Sequence, residues 1–522
     1  MKQKAVVIGS GFSSLSAACY LSKDGYDVTV VEKNSQVGGR ARIYEEKGYT
    51  FDMGPSWYWM PDVFEEFFGN FGKKVSDYYS LKRLDPSYRV VFGKDDFVDL
   101  SADVNQIFDL FESLEKGSSI KLRKLLEDGQ KLYKLGIYDY TRRPSLKLSE
   151  FFDPKLIFEA VTNNIFASFG KEVDKNFSHP KLRYILKFPV LFLGADPYKT
   201  PYMYALMNFT DMVLGTWYPK DGMQSVAKGM QNLASQMGVK FLFDTNVTGF
   251  DYDKNGKKDQ VIAVNIEQKK SSGSDKMKID SVRTIGAKLE NAASKIACQI
   301  VVSGADYEFT EQTLLDQKYR RYDAKYWDSR VLAPSSILFF IGIDTKLPNI
   351  LHHTLLFDES LEQMMDETYN NIKWPEKPLM YLNIPSLTQK DTAPKDCSNL
   401  FVLIPVASGL EGDDEKLIEK YYKIVCKKIK KYSGVDIDKH IVVKKSYSHK
   451  NFVSDYNSFK GNAYGLANTL SQTAVFKPKI KAKNLSNFYY TGQLTAPGPG
   501  VPPSIISGQV VSKLISKEHG RK

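Results

Sequence analysis

The sequence predicts an α/β fold, with a parallel-sheet domain assembled from separate stretches of chain and a second lobe of mixed helices and strands. Residues 5–8 form an apolar run suited to a buried strand, and residues 12–24 carry apolar side chains at helical spacing. A second apolar run follows at residues 28–31. A short strand, a turn rich in proline and glycine and a helix are predicted at residues 487–511, so both chain ends contribute to one domain.

The turn between the first strand and the first helix contains two glycines, Gly9 and Gly11. The first permits a tight turn, and the second lets the backbone approach a pyrophosphate. The helix that begins at Phe12 and Ser13 points free N–H groups toward the same phosphates. Ser14 replaces the third glycine of the usual motif, and a small serine still permits close packing of helix and strand. The alternative is a glycine turn in another kind of α/β domain.

Glu32 and Lys33 stand at the end of the second predicted strand. A carboxylate at this place accepts hydrogen bonds from ribose hydroxyls and disfavours a 2′-phosphate. The strand, the turn, the helix and Glu32 together predict an adenine dinucleotide site that is not made for NADP. Lys33 is predicted to contact the same ligand.

A second glycine-rich stretch lies at residues 38–40 and is followed by a motif at residues 51–57. Another phosphate contact here suits a cofactor that lies extended with a long buried end. The stretch resembles the flavin-dependent amine oxidase superfamily, and the resemblance implies FAD, with Arg40 near its pyrophosphate. The alternative for Arg40 is a surface salt bridge. The predicted contact residues here are Gly39, Arg40, Gly54, Pro55 and Ser56.

The C-terminal segment favours the same cofactor. A short strand ends at Gly492, and a proline-rich turn at residues 497–503 precedes the last predicted helix. By the resemblance, this helix start, with Val501 and Pro502, aims N–H groups at the N1–C2=O edge of the flavin. The alternative is a terminal loop stiffened by proline.

Motifs at both ends and in the middle of the chain resemble the bacterial-type phytoene desaturases, which are FAD-dependent carotenoid desaturases. The resemblance implies an enzyme of carotenoid biosynthesis that removes hydrogens from phytoene and gives a more conjugated carotene such as lycopene. It also implies that the backbone of Val247 contacts adenine, for which a plain strand valine is the alternative. The motifs lie at residues 9–14, 32–34, 38–41, 51–56, 188–194, 461–465 and 498–503.

The same motifs leave other functions open. Dehydrosqualene desaturases, carotenoid isomerases and carotenoid ketolases are relatives with nearly the same fold. A non-enzymatic chaperone that binds isoprenoids is the alternative from a different class, although a chaperone need not keep the C-terminal helix start described above. An amine oxidase is a further alternative.

Hydrogen removal from a saturated carbon–carbon bond requires a hydride acceptor and a proton acceptor. Flavin N5 is the expected hydride acceptor, and a quinone or oxygen is expected to reoxidise the flavin. No catalytic base is assigned. Asp52 and Asp196 are both compatible with structural roles, and the pair His352 and His353 fits a satisfied structural pair better than a catalytic one. No metal-ligand spacing is present, so no metal is predicted.

The chain is predicted to divide into a discontinuous Rossmann-like FAD-binding domain, a mixed-sheet substrate domain and a helical lid that faces a membrane. The lid prediction depends on the large apolar side chains between residues 184 and 218, which suit an apolar tunnel, a membrane face or plain core. The polar stretch 253–295 is predicted to be an extended β-hairpin or loop insertion. The FAD-binding domain is predicted to comprise residues 1–80, 223–310 and 480–522. The substrate domain comprises residues 81–135 and 311–479, and the lid comprises residues 136–222.

Composition predicts a cytoplasmic protein that binds the surface of the cytoplasmic membrane. The chain has 522 residues, no apolar run of spanning length, no recognisable signal peptide and four scattered cysteines without metal-binding spacing. The net charge is +11, yet the lysines are spread widely, so nucleic-acid binding is not predicted. The lysines suit solvated faces, with attraction to anionic headgroups as a contributing term. The inferred substrate, a long isoprenoid hydrocarbon, resides in the bilayer.

Overall fold

The computed structural model describes residues 2–151, 165–192, 194, 196–254, 258–268 and 294–520. The strands are β1 Lys4–Ile8, β2 Asp27–Val31, β3 Ile43–Glu46, β4 Tyr49–Asp52, β5 Leu81–Arg83, β6 Tyr88–Gly93, β7 Asp96–Leu100, β8 Trp217–Pro219, β9 Lys240–Leu242, β10 Thr245–Asp253, β11 Gln260–Gln268, β12 Ser294–Ala297, β13 Ile300–Ser303, β14 Ser335–Ile343, β15 His353–Leu356, β16 Met380–Asn383, β17 Ser398–Val406, β18 Ile441–Tyr447 and β19 Phe488–Tyr490. The described helices of eight residues or more are α1 Phe12–Lys23, α2 Pro61–Gly69, α3 Val104–Leu114, α4 Ser118–Tyr133, α5 Phe169–Asn176, α6 Pro180–Phe192, α7 Met223–Gln236, α8 Leu361–Tyr369, α9 Glu415–Ser433, α10 His449–Tyr456 and α11 Val501–His519.

The first sheet is parallel and has the strand order β19-β13-β1-β2-β9. Its strands come from the beginning, the middle and the end of the chain, so the predicted discontinuous Rossmann-like architecture is confirmed. Helices α1 and α11 cross closely because Gly508 has no side chain; a Cβ there would lie 2.3 Å from the Ser13 carbonyl oxygen. This contact joins the C-terminal helix to the glycine turn at the other end of the chain.

A smaller antiparallel sheet, β10-β11-β12, lies beside the first. Strand β10 ends where the stretch predicted as a hairpin or loop insertion begins, and β11 lies inside that stretch and pairs with β10 and β12. The rest of that stretch, at residues 255–257 and 269–293, lies outside the described residues.

The second large sheet is mixed and has the order β18-β14-β17-β16-β15-β6-β7, with β15 and β6 parallel and the other pairs antiparallel. Successive side chains point to opposite faces. On β14, Ile337 and Phe339 belong to the core that includes residues of α9, whereas Leu338 and Phe340 belong to the core on the other face. The face that carries Leu338 also lines the main cavity.

Helix α4 and the short helix Leu206–Phe209 pack together beside this sheet. Gly129 makes the contact possible, because a Cβ there would lie 2.8 Å from the carbonyl oxygen of Ala205. The predicted boundary at residue 136 therefore assigns two helices that share one core to different domains. The boundary positions stay predictions. Within the predicted lid, residues 152–164, 193 and 195 lie outside the described part of the chain.

Every helix in the described part of the chain is too short or too polar to span a bilayer. The membrane-facing orientation of the lid stays a prediction.

Candidate active site

A long cavity of about 1390 Å³ runs from the carboxyl ends of the parallel strands to the inner face of the mixed sheet. Its wall combines polar backbone at one end with large apolar side chains at the other. All the residues predicted to contact FAD line it: Gly9, Gly11, Phe12, Ser13, Glu32, Lys33, Gly39, Arg40, Gly54, Pro55, Ser56, Val247, Gly492, Val501 and Pro502. Their contacts with the cofactor stay predictions.

The glycine turn forms the floor of the polar end. Gly9 has a φ of +88°, a conformation that favours glycine, and its N–H donates to the Val31 carbonyl at 2.7 Å. Gly11 has ordinary extended angles, and a Cβ built on it would meet no protein atom within 4 Å. Because Gly11 lines the cavity, that Cβ would occupy ligand space. Gly39, with a φ of +57°, packs its Cα side against Gly11 and brings the second glycine stretch to the first.

Glu32 is buried beside the turn and is held from two sides. One carboxylate oxygen accepts from the Ser10 N–H at 2.7 Å and from the Ser10 hydroxyl at 2.9 Å. The other accepts from the Asn34 N–H at 2.9 Å. A carboxylate offers about four acceptor positions, so acceptor capacity remains for a ribose hydroxyl. Sequence reasoning missed Ser10, although its place between the two motif glycines was a usable signal.

Arg40 is half-buried rather than exposed. Its guanidinium lies 4.9 Å from the ring centre of Tyr456 and donates to the Ser458 hydroxyl at 3.1 Å and to the Asn462 carbonyl at 3.2 Å. Burial is the main cause that lowers the pKa of this group, and Asp306 opposes the shift. The alternative of a surface salt bridge is wrong, because the bonded partners are a hydroxyl and a carbonyl. Within the described chain, Nε of Arg40 is buried without a hydrogen-bond partner.

The end of α10 covers the Glu32 end of the cavity. Lys33 donates from Nζ to the Ser454 carbonyl at 2.7 Å and to Oδ1 of Asn457 at 3.0 Å. Asn34 donates to the Asp455 carbonyl at 3.2 Å. These partners lie more than 400 residues away in the sequence, so no local pattern could have indicated them.

The two remaining predicted stretches close the cavity wall through backbone contacts. Gly54 lies against the backbone of Arg40, where a Cβ would be 2.4 Å from the carbonyl oxygen. At the C-terminal turn, Gly492 has a φ of +112° and its N–H donates to the Ser507 hydroxyl at 3.1 Å. Gly500, with a φ of +109°, precedes the first turn of α11, which contains Val501 and Pro502. The predicted helix start therefore faces the cavity.

The other end of the cavity is apolar. Side chains from the residue 57–60 segment, from the short helix Leu206–Phe209 and from strands β14, β16 and β17 meet there. The predicted apolar segment 184–218 contributes part of this wall, including Met203, Tyr204 and Met207. Among the described residues, four large apolar side chains both line the cavity and are exposed, and we call this set the mouth: Leu148, 56% exposed; Phe166, 64%; Leu470, 46%; and Phe476, 57%.

The acidic residues considered from the sequence have structural partners outside the cavity lining. Asp52 is buried and accepts from the Tyr218 hydroxyl at 2.6 Å and from the Met223 N–H at 3.0 Å. Burial raises the pKa of Asp52 to about 6, although these bonds oppose the shift. Asp196 accepts from the Tyr198 N–H at 2.9 Å in a local turn. Both residues hold loops in place.

The two histidines are adjacent core residues of the mixed sheet. His352 pairs through Nδ1 with the Thr388 hydroxyl at 2.7 Å, and His353 pairs through Nδ1 with the Tyr381 hydroxyl at 2.7 Å. Burial lowers the pKa of His352 to about 3 and that of His353 well below its usual range. The expectation of a satisfied structural pair is met only at Nδ1, because among the described residues Nε2 of both His352 and His353 is buried without a hydrogen-bond partner. Tyr381, which sequence reasoning missed, also lines the cavity.

The residues at the polar end fit FAD. The open space over Gly11 accommodates a pyrophosphate, Glu32 has acceptor capacity for a ribose, and Nε of Arg40 is a buried donor without a partner. The cavity continues from this end into an apolar chamber, as an extended flavin cofactor and an apolar substrate together require.

Comparison with protein families and curated proteins gives concordant matches. The model of the flavin containing amine oxidoreductase family matches residues 12–282. A carotenoid 3,4-desaturase of Haloarcula japonica is 35% identical over 517 residues, 99% of this chain and 98% of that protein. A 4,4′-diapophytoene desaturase (4,4′-diaponeurosporene-forming) of Staphylococcus haemolyticus is 29% identical over 99% of each chain. A zeta-carotene-forming phytoene desaturase of Myxococcus xanthus is 26% identical over 98% of this chain and 94% of that protein.

Solved structures share the fold at low sequence identity. An oxidoreductase from Methanosarcina mazei superposes with a TM-score of 0.59 at 15% identity, covering 98% of this chain and 100% of that one. Putrescine oxidase bound to putrescine gives a TM-score of 0.58 at 12% identity over 99% of each chain. The chain therefore belongs to the flavin-containing amine oxidoreductase family and, within it, to the bacterial-type carotenoid desaturases, and it is an FAD-dependent oxidoreductase.

Proposed function

We propose that the protein desaturates phytoene and gives a more conjugated carotene such as lycopene, in carotenoid biosynthesis. The observation that carries this proposal is that one cavity is lined both by the residues predicted to bind FAD and by a group of large apolar side chains. A linear hydrocarbon offers no polar group for recognition, so shape and apolar contact must hold it. The apolar end of the cavity is lined by large apolar side chains that can hold a hydrocarbon in this way.

FAD, when bound, supplies the hydride acceptor for the reaction. The protein's own residues hold the hydrocarbon beside it and exclude water. Trp57, Trp59 and Phe401 provide aromatic faces along the wall, and aromatic faces attract a cationic centre that develops on the hydrocarbon. Two relatives are named for other carotenoid reactions. Desaturation of 4,4′-diapophytoene and desaturation at the 3,4 position are therefore the principal alternatives to the phytoene reaction.

Substrate identity is tested by expressing the chain in hosts that accumulate either phytoene or 4,4′-diapophytoene and determining the pigment mass and absorption spectrum. Conversion of phytoene with loss of hydrogen pairs supports the proposal. Conversion of only the diapophytoene, or only of an already desaturated carotene supplied separately, redirects it. A product of unchanged mass with altered double-bond geometry indicates an isomerase instead.

We further propose that the substrate enters from a bilayer through the mouth, defined above as Leu148, Phe166, Leu470 and Phe476. Exposed apolar side chains around an opening lose unfavourable hydration when they insert into lipid. The corresponding location is the cytoplasmic face of the cell membrane, with the protein bound peripherally. The apolar rim supports this proposal because it surrounds the opening of the same cavity that receives the hydrocarbon.

Flotation with liposomes tests the membrane proposal. The double variant Leu148→Asp and Phe476→Asp should bind liposomes at least about tenfold more weakly, because two apolar contacts are replaced by charges. Ile120→Asp is the matched control, since Ile120 is 75% exposed and does not line the cavity. Equal binding by the double variant and the wild type would refute entry through this mouth.

The electron acceptor is proposed to be a membrane quinone or oxygen. Anaerobic turnover with added quinone supports the quinone. Turnover that stays at zero with quinone and begins when air is admitted assigns the role to oxygen.

A further inference from the structure

Two polar side chains interrupt the apolar wall of the cavity and lead to a buried histidine. Ser56 and Tyr381 both line the cavity, and their hydroxyl oxygens are 2.7 Å apart. The Tyr381 hydroxyl is in turn 2.7 Å from Nδ1 of His353. The three groups form a continuous hydrogen-bonded chain from the cavity surface into the mixed sheet.

The imidazole of His353 is fixed in position. It is fully buried and stacks on Trp57 with ring centres 4.1 Å apart and planes 9° from parallel. His352 and Tyr218 contact it edge-on from the far side. A ring packed in this way stays in one orientation, which an efficient proton acceptor requires.

The contacts of Nδ1 favour one tautomer of His353. Nδ2 of Asn383 lies 3.4 Å from Nδ1 of His353, and an amide nitrogen can only donate. We therefore assign the neutral ring a lone pair on Nδ1 and a proton on Nε2, which has no hydrogen-bond partner among the described residues. The Tyr381 hydroxyl donates to that lone pair, so its oxygen faces Ser56 and the cavity with acceptor capacity.

This geometry supplies the proton acceptor that a desaturation needs, and the inference rests on the proposed function. When a CH–CH unit becomes C=C, one hydrogen leaves as hydride, for which FAD, when bound, would supply the acceptor and the oxidising power. The neighbouring C–H bond breaks, its electron pair forms the double bond, and its proton must leave the hydrocarbon. We propose that Oη of Tyr381 takes this proton while the proton of the Tyr381 hydroxyl passes to Nδ1 of His353.

The step balances in atoms and charge. One C–H and one O–H bond break, one O–H and one N–H bond form, and His353 becomes an imidazolium. The hydride has left as an anion, so the positive ring offsets the negative charge gained by the oxidant. The proton returns through Tyr381 and Ser56 to the cavity after the product leaves.

A weak base is adequate for this task. Burial lowers the pKa of His353, and the neighbouring His352 acts in the same direction. A C–H bond beside a cationic carbon is far more acidic than an imidazolium, so proton transfer to the ring is still downhill. The low basicity keeps the ring neutral and its lone pair available before each turnover. Tyr381 touches the reacting chain and is the proposed catalytic residue. His353 positions the Tyr381 hydroxyl and takes its proton, and Ser56 relays the proton back to the cavity.

Tyr381→Phe is the decisive variant, because it removes one hydroxyl and keeps the ring in the wall. The wild type and the variant are purified with FAD and mixed anaerobically with phytoene in liposomes, and flavin reduction is followed by absorbance. We expect the rate to fall about 100-fold or more, with unchanged flavin content and melting temperature. Substrate deuterated at the carbon that loses the proton should slow the variant more than the wild type.

His353→Gln should lower the rate of flavin reduction by a similar factor, because a glutamine can accept the hydrogen bond from Tyr381 but cannot take its proton. The matched control is Tyr49→Phe, which removes a buried hydroxyl bonded to the Ile343 carbonyl at 3.0 Å away from the cavity lining. This control should reduce its flavin at the wild-type rate. A Tyr381→Phe enzyme with the wild-type rate and isotope effect would overturn the proposal.

Failure of the relay and failure of the proposed function give different results. Flavin reduction in the wild type by phytoene tests the function without any variant. If another carotenoid precursor reduces the wild-type flavin instead, the substrate assignment changes, and the comparison of variants on that precursor still supports or overturns the relay.

Discussion

The two ends of the cavity are built by different means. The polar end consists mainly of backbone, and most of its predicted contact residues lie within the first 60 residues and the last 40, with Val247 and the end of α10 added from elsewhere in the chain. The apolar end consists of side chains from residues 57–60 and from strands and helices in the middle of the chain. Gly11 leaves room for a ligand, whereas Gly54 at the same end and Gly129 and Gly342 in the second lobe serve internal packing. Substitutions that separate these two roles make the comparison testable.

The largest effect is expected for Gly11→Leu. The backbone angles of Gly11 suit any residue, and a side chain there would meet no protein atom but would fill the space assigned to the pyrophosphate. The purified variant should therefore fold and carry at most about a tenth of the wild-type flavin. Absorbance gives the flavin-to-protein ratio. Gly69→Leu is the control, because Gly69 also has open space around it but lies outside the cavity lining; a yellow Gly11→Leu protein would contradict the site.

The second prediction concerns a buried carboxyl in the substrate lobe and depends on pH. Asp211 accepts from the Tyr88 hydroxyl at 2.6 Å, and burial raises the pKa of Asp211 to about 7. A raised carboxyl pKa favours the folded state at low pH, and that advantage disappears as the pH rises through the folded-state pKa. Between pH 4 and 7 the free energy of unfolding should fall by about 2–4 kcal/mol more in the wild type than in Asp211→Asn.

Denaturant melts at several pH values measure this difference. Asp391→Asn, at an exposed position of the same lobe, should show the pH dependence of the wild type. If the free energy of unfolding changes with pH in the same way in the wild type and in Asp211→Asn, the Asp211 carboxyl ionises as it does in the unfolded chain.

The third prediction returns to the polar end. Glu32→Ala should bind FAD about 10–100-fold more weakly, because a charged acceptor for the ribose is lost and the Ser10 N–H is left without a partner. Titration of apoprotein with FAD, followed by flavin fluorescence, gives the affinity. Glu32→Gln separates the two causes, since it keeps an acceptor for Ser10, and Glu45→Ala is an exposed control. If Glu32→Ala and Arg40→Ala both bind FAD like the wild type, the placement of the cofactor is wrong.

The smallest effect is expected for Gly342→Ala, at a glycine that serves packing. A Cβ on Gly342 would lie 2.8 Å from the ring of Tyr49. Overpacking of one methyl should lower the free energy of unfolding by about 1–2 kcal/mol and leave the flavin-to-protein ratio unchanged. Thermal melts and absorbance give both quantities. A loss of flavin without a loss of stability would show that the two roles of glycine are not separable.

The predictable parts of the site are those whose function resides in contiguous backbone. The turn at Gly9 and Gly11, the strand that ends at Glu32 and the helix start at Val501 each follow from local sequence. Their convergence on one cavity agrees with the predicted discontinuous domain. The cover over the Glu32 end, supplied by the end of α10, was missed because its contacts with Lys33 and Asn34 span more than 400 residues.

The sequence by itself determined the fold class through the spacing of glycine, proline and apolar residues, and it indicated the cofactor and the family through short motifs that resemble those of known flavoproteins. The tertiary structure decided which side chains share the apolar chamber. It also decided that Arg40 is half-buried and that Ser56, Tyr381 and His353 form one chain of hydrogen bonds. The pairing of β15 with β16 brings His353 beside Tyr381, and the fold brings Ser56 to Tyr381 across 325 positions. No local pattern encodes a contact at that distance.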